Sequence, residues 1–382
     1  MQSFSSLVPP VMRASTVKFA SLQDFVTRGS RLPDGFSYGT TGTPTHRQLE
    51  ARIAALDKGA HCVVVPSGQA AIALVMMALL KAGDHLLISD SAYGPAQTFA
   101  LEHMATLGVV VERYDPCIEG EAFGALIRPD TKLIWMESPG STTMEVQDVD
   151  AIVAQARKAG VLTAIDNTWS SPLYFQPLTL GVDLCIHACT KYMGGHSDLL
   201  MGSISTSDFD LYRRLRHLQS YMGLASSADD CFLVERGLET LALRMAHQSA
   251  AALSIAAWLE TQDCVQQVLH PALASSPSHQ RWQRCFTGSG SVFSLVLKPA
   301  DMAAYQAMFA DFQTFSIGAS WGSVHSLIAY YPAEIQDSRA FPLVRAPLVR
   351  ISVGLEDVEQ VRDDLDRALR RFEAAAMIPQ SA

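Results

Sequence analysis

No run of Lys or Arg stands out in this chain of 382 residues, and its formal net charge is −9. Nucleic acid is therefore not an expected partner. Long apolar runs are missing too. The longest, such as AIALVMMALL at 71–80, stop short of the roughly 20 residues a membrane-spanning helix needs, so no membrane association is expected. No basic–apolar–cleavage pattern opens the sequence, so no secretory signal is expected. The seven cysteines, at 62, 117, 185, 189, 231, 264 and 285, are odd in number and scattered. They do not form a disulfide framework, and a reducing cytoplasm is the expected location. The GxGxxG turn of a dinucleotide-binding fold is also absent.

What the sequence does have is a regular alternation. Hydrophobic residues make up 48% and charged residues 18%, a balance that fits a compact enzyme. From about 60 to 206, short apolar runs alternate with helical patterns, which predicts a mostly parallel sheet. After about 207 come long helical segments, then three strand-like runs of a second, smaller sheet. A final amphipathic helix places Val358, Val361, Leu365, Leu369 and Phe372 on one face. The length suggests two domains. We expect an N-terminal arm over 1–42, a large domain over 43–235 and a smaller α+β domain over 236–382. Thr45 stands three residues before Gln48, the spacing of a capping box for a helix running to Leu56.

The chemistry concentrates between Asp166 and Gly202. Two apolar runs, LTAI and VDLCIHA, read as buried strands. Asp166 closes the first, and Thr190 and Lys191 follow the second. Singly these residues are ordinary, since a Lys after a strand is usually a solvated loop end and an Asp there a helix cap. Together, at the carboxyl ends of parallel strands, they stand where ligands bind. A lysine, a carboxylate and a hydroxyl in that place suit pyridoxal 5'-phosphate (PLP). The lysine bonds the aldehyde, the carboxylate pairs with the ring nitrogen and the hydroxyl reaches the phosphate. Upstream, Pro66-Ser67-Gly68-Gln69 joins a strand to a helix, and first-turn N–H groups there suit a single phosphate. Tyr93, at a Gly–Pro turn past a strand end, could stack on a ring or be a surface aromatic. Arg350, in the apolar run LVRISVG, needs a partner: an internal ion pair or a substrate carboxylate. Cys185, His187 and Cys189 alternate onto one strand face. That strand is expected to be buried on both faces, where Cys is common, so no metal site is expected.

These residues carry a resemblance. The motifs YGTTGTPTH at 38–46, ESPGSTTMEV at 137–146, DNTW at 166–169, TKYMGGHSD at 190–198, SWG at 320–322 and RISVGLED at 350–357 resemble the Cys/Met-metabolism family of PLP enzymes, the γ-family of fold type I. Within it, Gly140 and Ser141 are most similar to the bacterial cystathionine β-lyase branch. The resemblance implies an α/β fold type I transferase-like architecture and a carbon–sulfur β-lyase acting on cystathionine or a related cysteine conjugate. A γ-lyase or other elimination enzyme acting on a different tail is the alternative. It implies that Lys191 carries the cofactor and moves protons, with Tyr93 and Ser320 assisting. It places Asp166 at the ring nitrogen, makes Thr168 a further cofactor-binding residue, and puts Gly68, Gln69 and Thr190 at the phosphate. Arg350, Ser320, Trp321 and Ser141 would bind an amino-acid substrate. Tyr38 would reach the phosphate of a neighbouring subunit, because relatives share active sites across a dimer and assemble as tetramers.

The sequence departs from that pattern at one turn and one helix. Arginines are usual two and three residues after the tyrosine of the YGxxG turn; here they are Thr40 and Thr41. An acid is usual a few residues after the stacking tyrosine; here it is Thr98. Arg47 is the candidate to replace the lost phosphate partner. The N-terminal arm is shorter than in relatives. A substrate with a neutral, smaller or cationic tail would follow.

Overall fold

The computed structural model describes residues 6–377. The first five residues of the expected arm and the last five of the chain lie outside that range.

Seven strands form the first sheet: β1 (His61–Val65), β2 (His85–Ser89), β3 (Val110–Tyr114), β4 (Thr131–Glu137), β5 (Leu162–Asp166), β6 (Leu184–Ala188) and β7 (Gly202–Thr206). Their order in space is β1-β7-β6-β5-β4-β2-β3. Only β7 runs against the others. The carboxyl ends of β1, β6, β5 and β4 therefore face one edge, and the loops that leave them converge there. Both sheet faces are covered. Helices 68–79 and 209–222 pack with Ile88, Trp135, Ala164 and Ile186 on one face, and helix 149–159 packs with Ile134, Met136, Ile165 and Cys185 on the other. That burial explains why these strands read as continuous apolar runs.

The second sheet holds β8 (Val265–Leu269), β9 (Val292–Leu297), β10 (Ser316–Ile317), β11 (Leu327–Tyr331) and β12 (Leu348–Ser352), in the order β10-β11-β12-β9-β8. Helices 241–259 and 358–376 cover it, and the apolar face expected of the last helix is buried, with Val361, Leu365, Leu369 and Phe372 in the core.

The helix start near residue 45 differs from expectation. The helix spans Pro44–Leu56 and its cap is Thr43. The backbone N–H of Thr43 donates to His46 Nδ1 at 3.0 Å. Pro44 decides the matter. Proline suits the first helical position, where its missing N–H costs nothing, and this puts the cap at Thr43, two residues before Thr45.

Candidate active site

Lys191 lies in the loop after β6. Its Nζ donates to Ser320 Oγ at 2.8 Å, although the two are 129 residues apart. It also stands 5.5 Å from the centre of the Trp321 ring, which packs edge-on against Tyr192. Burial, and then the nearby charge of Arg350, bring the amine down from 10.5 to about 8, with Asp166 opposing. An amine of that kind has a substantial neutral fraction near neutral pH, so it can act as a nucleophile or a base.

Asp166 is the last residue of β5. Its Oδ1 accepts from the backbone N–H of Thr168 at 2.9 Å and from the Thr168 hydroxyl at 2.5 Å. Thr168 Oγ1 in turn accepts from the backbone N–H of Ala188 at 2.8 Å. Thr168 therefore ties the end of β5 to the end of β6, and its hydroxyl is spent on that bridge. Burial pushes the Asp166 carboxyl up, while Thr168, His187 and Lys191 draw it down. No ion pair to Asp166 occurs among the described residues, so a cation placed against it would find an unmatched partner.

At the end of β1, Ser67 caps the helix that begins at Gly68 by accepting from the backbone N–H of Ala70 at 3.0 Å. The first-turn N–H groups of Gly68 and Gln69 have no acceptor among the described residues, which leaves an anion cradle. A Cβ on Gly68 would stand 2.8 Å from Ala188 Cβ, so glycine lets this helix start press against the end of β6, three residues before Lys191. Thr190, expected at the phosphate, has its hydroxyl engaged with Met201: it accepts from the N–H at 3.0 Å and donates to the carbonyl at 3.2 Å.

Arg350, in β12, donates from one nitrogen to the carbonyls of Ala319 and Ser320, at 2.9 and 3.1 Å. Its guanidinium lies 5.2 Å from the centre of the Tyr331 ring. The residue is 8% exposed and has no carboxylate partner among the described residues. The internal ion pair that sequence left open is therefore absent among these residues. A buried guanidinium without its anion is costly, and an incoming carboxylate supplies what is missing.

Tyr93 stands just before helix 94–98 with its ring half exposed. Ser141 is held through its backbone N–H, which donates to the Ser91 carbonyl at 2.7 Å. Tyr38 is half exposed and makes no hydrogen bond to the Lys191, Asp166 and Arg350 group. Arg47 is committed elsewhere: it donates to the carbonyls of Asp34 and Thr41 and pairs with Glu50 at 2.6 Å. Cys185 and His187 do share a face of β6, and they meet Asp57, with His187 Nε2 and Asp57 Oδ1 2.8 Å apart. Cys189 lies in a different cluster.

Sequence reasoning missed three residues. Glu137, the last residue of β4, is aligned with Asp166 across the β4–β5 pair. Its signal was present, because it ends a strand as Asp166 does. Tyr331, at the end of β11, had the same signal. Arg339 had none. It donates to the Asp90 carbonyl at 3.0 Å and to Thr143 at 2.6 Å, and pairs with Glu145 at 2.9 Å. It thereby holds the turn that leads to Tyr93 against the loop that carries Ser141.

The sequence profile of the Cys/Met metabolism PLP-dependent enzymes matches residues 1–370. The chain belongs to this family. It is 38% identical over 370 residues to cystathionine beta-lyase MetC of Escherichia coli, covering 95% of this chain and 93% of that one. It is 34% identical over 379 residues to an L-alanine/L-glutamate racemase of Wolbachia pipientis, covering 96% and 93%. Among solved structures, cystathionine gamma synthase from Xanthomonas oryzae pv. oryzae, in complex with aminoacrylate and cysteine, superposes with a TM-score of 0.89. It shares 31% identity and covers 97% of this chain and 94% of that one. The fold is therefore that of fold type I, and the protein is a PLP-dependent enzyme of this family. The site fits the cofactor on its own terms. It offers free N–H groups for a phosphate, a partly neutral lysine for an aldehyde and a half-buried carboxylate that lacks a cation.

Proposed function

We propose that the protein is a carbon–sulfur β-lyase, which splits a thiol from cystathionine or a related cysteine conjugate and yields pyruvate and ammonia. The relatives named cystathionine beta-lyase support this reading. The observation that carries it is the grouping of Lys191, Ser320, Asp166 and Arg350 at one sheet edge.

When bound, PLP withdraws electrons from the substrate Cα through its protonated ring. Asp166 would keep the ring nitrogen protonated. The helix start at Gly68 and Gln69 would hold the phosphate, and Tyr93 would cover the ring. Arg350 would grip the substrate α-carboxylate, while its contacts with the carbonyls of Ala319 and Ser320 fix the loop in front of Lys191. The amine of Lys191, once released from the cofactor, would take the Cα proton at Nζ. Ser320 would steady that amine through the 2.8 Å contact. A proton from Lys191 or the Tyr93 hydroxyl would leave with the thiolate. The assembly would be a homo-oligomer, a tetramer built from two dimers in which Tyr38 reaches a neighbour's site, and its location the cytoplasm.

A second reading changes the substrate's tail and keeps the chemistry. Thr41 is buried, and its hydroxyl donates to the Tyr38 carbonyl at 2.8 Å and accepts from the Ser37 N–H at 3.1 Å. It is not offered to a ligand. Thr98 is exposed and uncharged. This favours a neutral or cationic tail over the zwitterionic end of cystathionine. The experiment that tests both is to identify the keto acid released by PLP-loaded protein from cystathionine, cystine, methionine, homoserine and a cationic-tailed analogue. Pyruvate, fastest from cystathionine, supports the first reading. Pyruvate fastest from another thioether supports the second. 2-Oxobutyrate, or no keto acid at all, refutes the β-lyase.

A further inference from the structure

Glu137 and Asp166 end neighbouring parallel strands at aligned positions. Aligned residues of adjacent strands stand about 4.8 Å apart. Two half-buried carboxyl groups so placed resist ionising together, because each charge opposes the other. The surroundings decide which keeps the proton. Asp166 accepts two hydrogen bonds from Thr168 and feels Lys191 and His187. Glu137 accepts one hydrogen bond, from the backbone N–H of Tyr93 to Oε2 at 2.6 Å. The ionisable groups that act on it are Asp166 from β5 and Glu145 from the following loop, both acidic. It makes no salt bridge among the described residues.

We propose that Glu137 is a proton-bearing partner of Asp166, so that the pair carries one negative charge, lodged on Asp166. Glu137 is then a positioning residue. One oxygen holds the turn that aims Tyr93 over the ring, and the neutral carboxyl spares Asp166 a second adjacent anion. Burial and Asp166 both push the Glu137 carboxyl well up from the ordinary range, in agreement with the geometry. The inference rests on the reading of Asp166 as the partner of the ring nitrogen, and it assigns no substrate.

Glutamine copies a protonated glutamate: it keeps an oxygen for the Tyr93 N–H and cannot ionise. The test is a difference infrared spectrum between PLP-loaded wild type and Glu137→Gln near neutral pD, where an ordinary glutamate of about 4.3 is ionised. The expected result is that the wild type shows a protonated-carboxyl stretch that the variant lacks. Loss of an ionised-carboxylate band instead overturns the proposal. In the same proteins, PLP affinity should fall by no more than about threefold in Glu137→Gln and by about tenfold or more in Glu137→Ala, which loses the Tyr93 acceptor. Equal losses in the two variants refute the proton-bearing role. Should Glu137→Gln fail to fold, the wild type is titrated alone: the protonated band persists through neutral pD if the proposal holds, and is absent there if it fails. These readouts use no substrate, so their failure is distinguishable from failure of the lyase reading.

Discussion

The amine of Lys191 gives the sharpest quantitative test. Burial and the charge of Arg350 bring it from 10.5 to about 8. At pH 7 an amine at 8 is about 10% neutral, whereas one at 10.5 is ~0.03% neutral, a ratio of about 300. Only the neutral amine attacks an aldehyde. The rate at which apo-protein captures PLP, followed by its visible band, should rise with pH and level off above about 8. Arg350→Met removes the like charge and should move this midpoint up. Asp166→Asn removes the opposing attraction and should move it down. The linkage has a definite sign. A lysine lowered in the folded state favours folding above its unfolded value of 10.5, and that gain is lost as pH falls through about 8. Apo-protein should therefore gain stability as pH rises from 7 to 9, relative to Lys191→Met. A wild-type midpoint above 10, or a midpoint that Arg350→Met leaves in place, would refute the reasoning.

Other outcomes follow from single contacts. Gly68→Ala puts a Cβ 2.8 Å from Ala188 Cβ and should weaken PLP binding at least about tenfold by equilibrium dialysis; unchanged affinity would remove the helix start from the phosphate site. Arg350→Lys loses the two-pronged grip on a carboxylate, so KM should rise about tenfold with a smaller change in kcat. Arg339→Ala leaves the buried Glu145 without its cation, while Asp90 keeps Arg113 at 3.3 Å, and should cost about 3 kcal/mol in denaturant unfolding. Thr40→Arg with Thr41→Arg should raise activity on cystathionine relative to other thioethers, and an unmoved ratio would discard the altered-tail reading.

The sequence by itself determined the alternation of strand and helix through the first sheet, because each strand is buried on both faces and reads as a short apolar run. It also placed Lys191, Asp166 and Gly68 at or just past strand ends, where the chain must leave the sheet and a polar group can face a ligand. The start of helix 44–56 was misread because capping-box spacing at Thr45 competed with a proline, and the proline won. What only the tertiary structure decided is which strand ends become neighbours. The strand order sets Glu137 against Asp166, although a whole helix separates them in sequence. The second sheet brings Ser320 and Arg350 to Lys191 across more than a hundred residues. Arg339 reaches Asp90 and Glu145 in the same way. Period and composition report only the local chain. They do not encode which distant segments pack together, and it is that packing, which buries Lys191 beside Arg350, that turns a lysine at a strand end into a partly neutral amine.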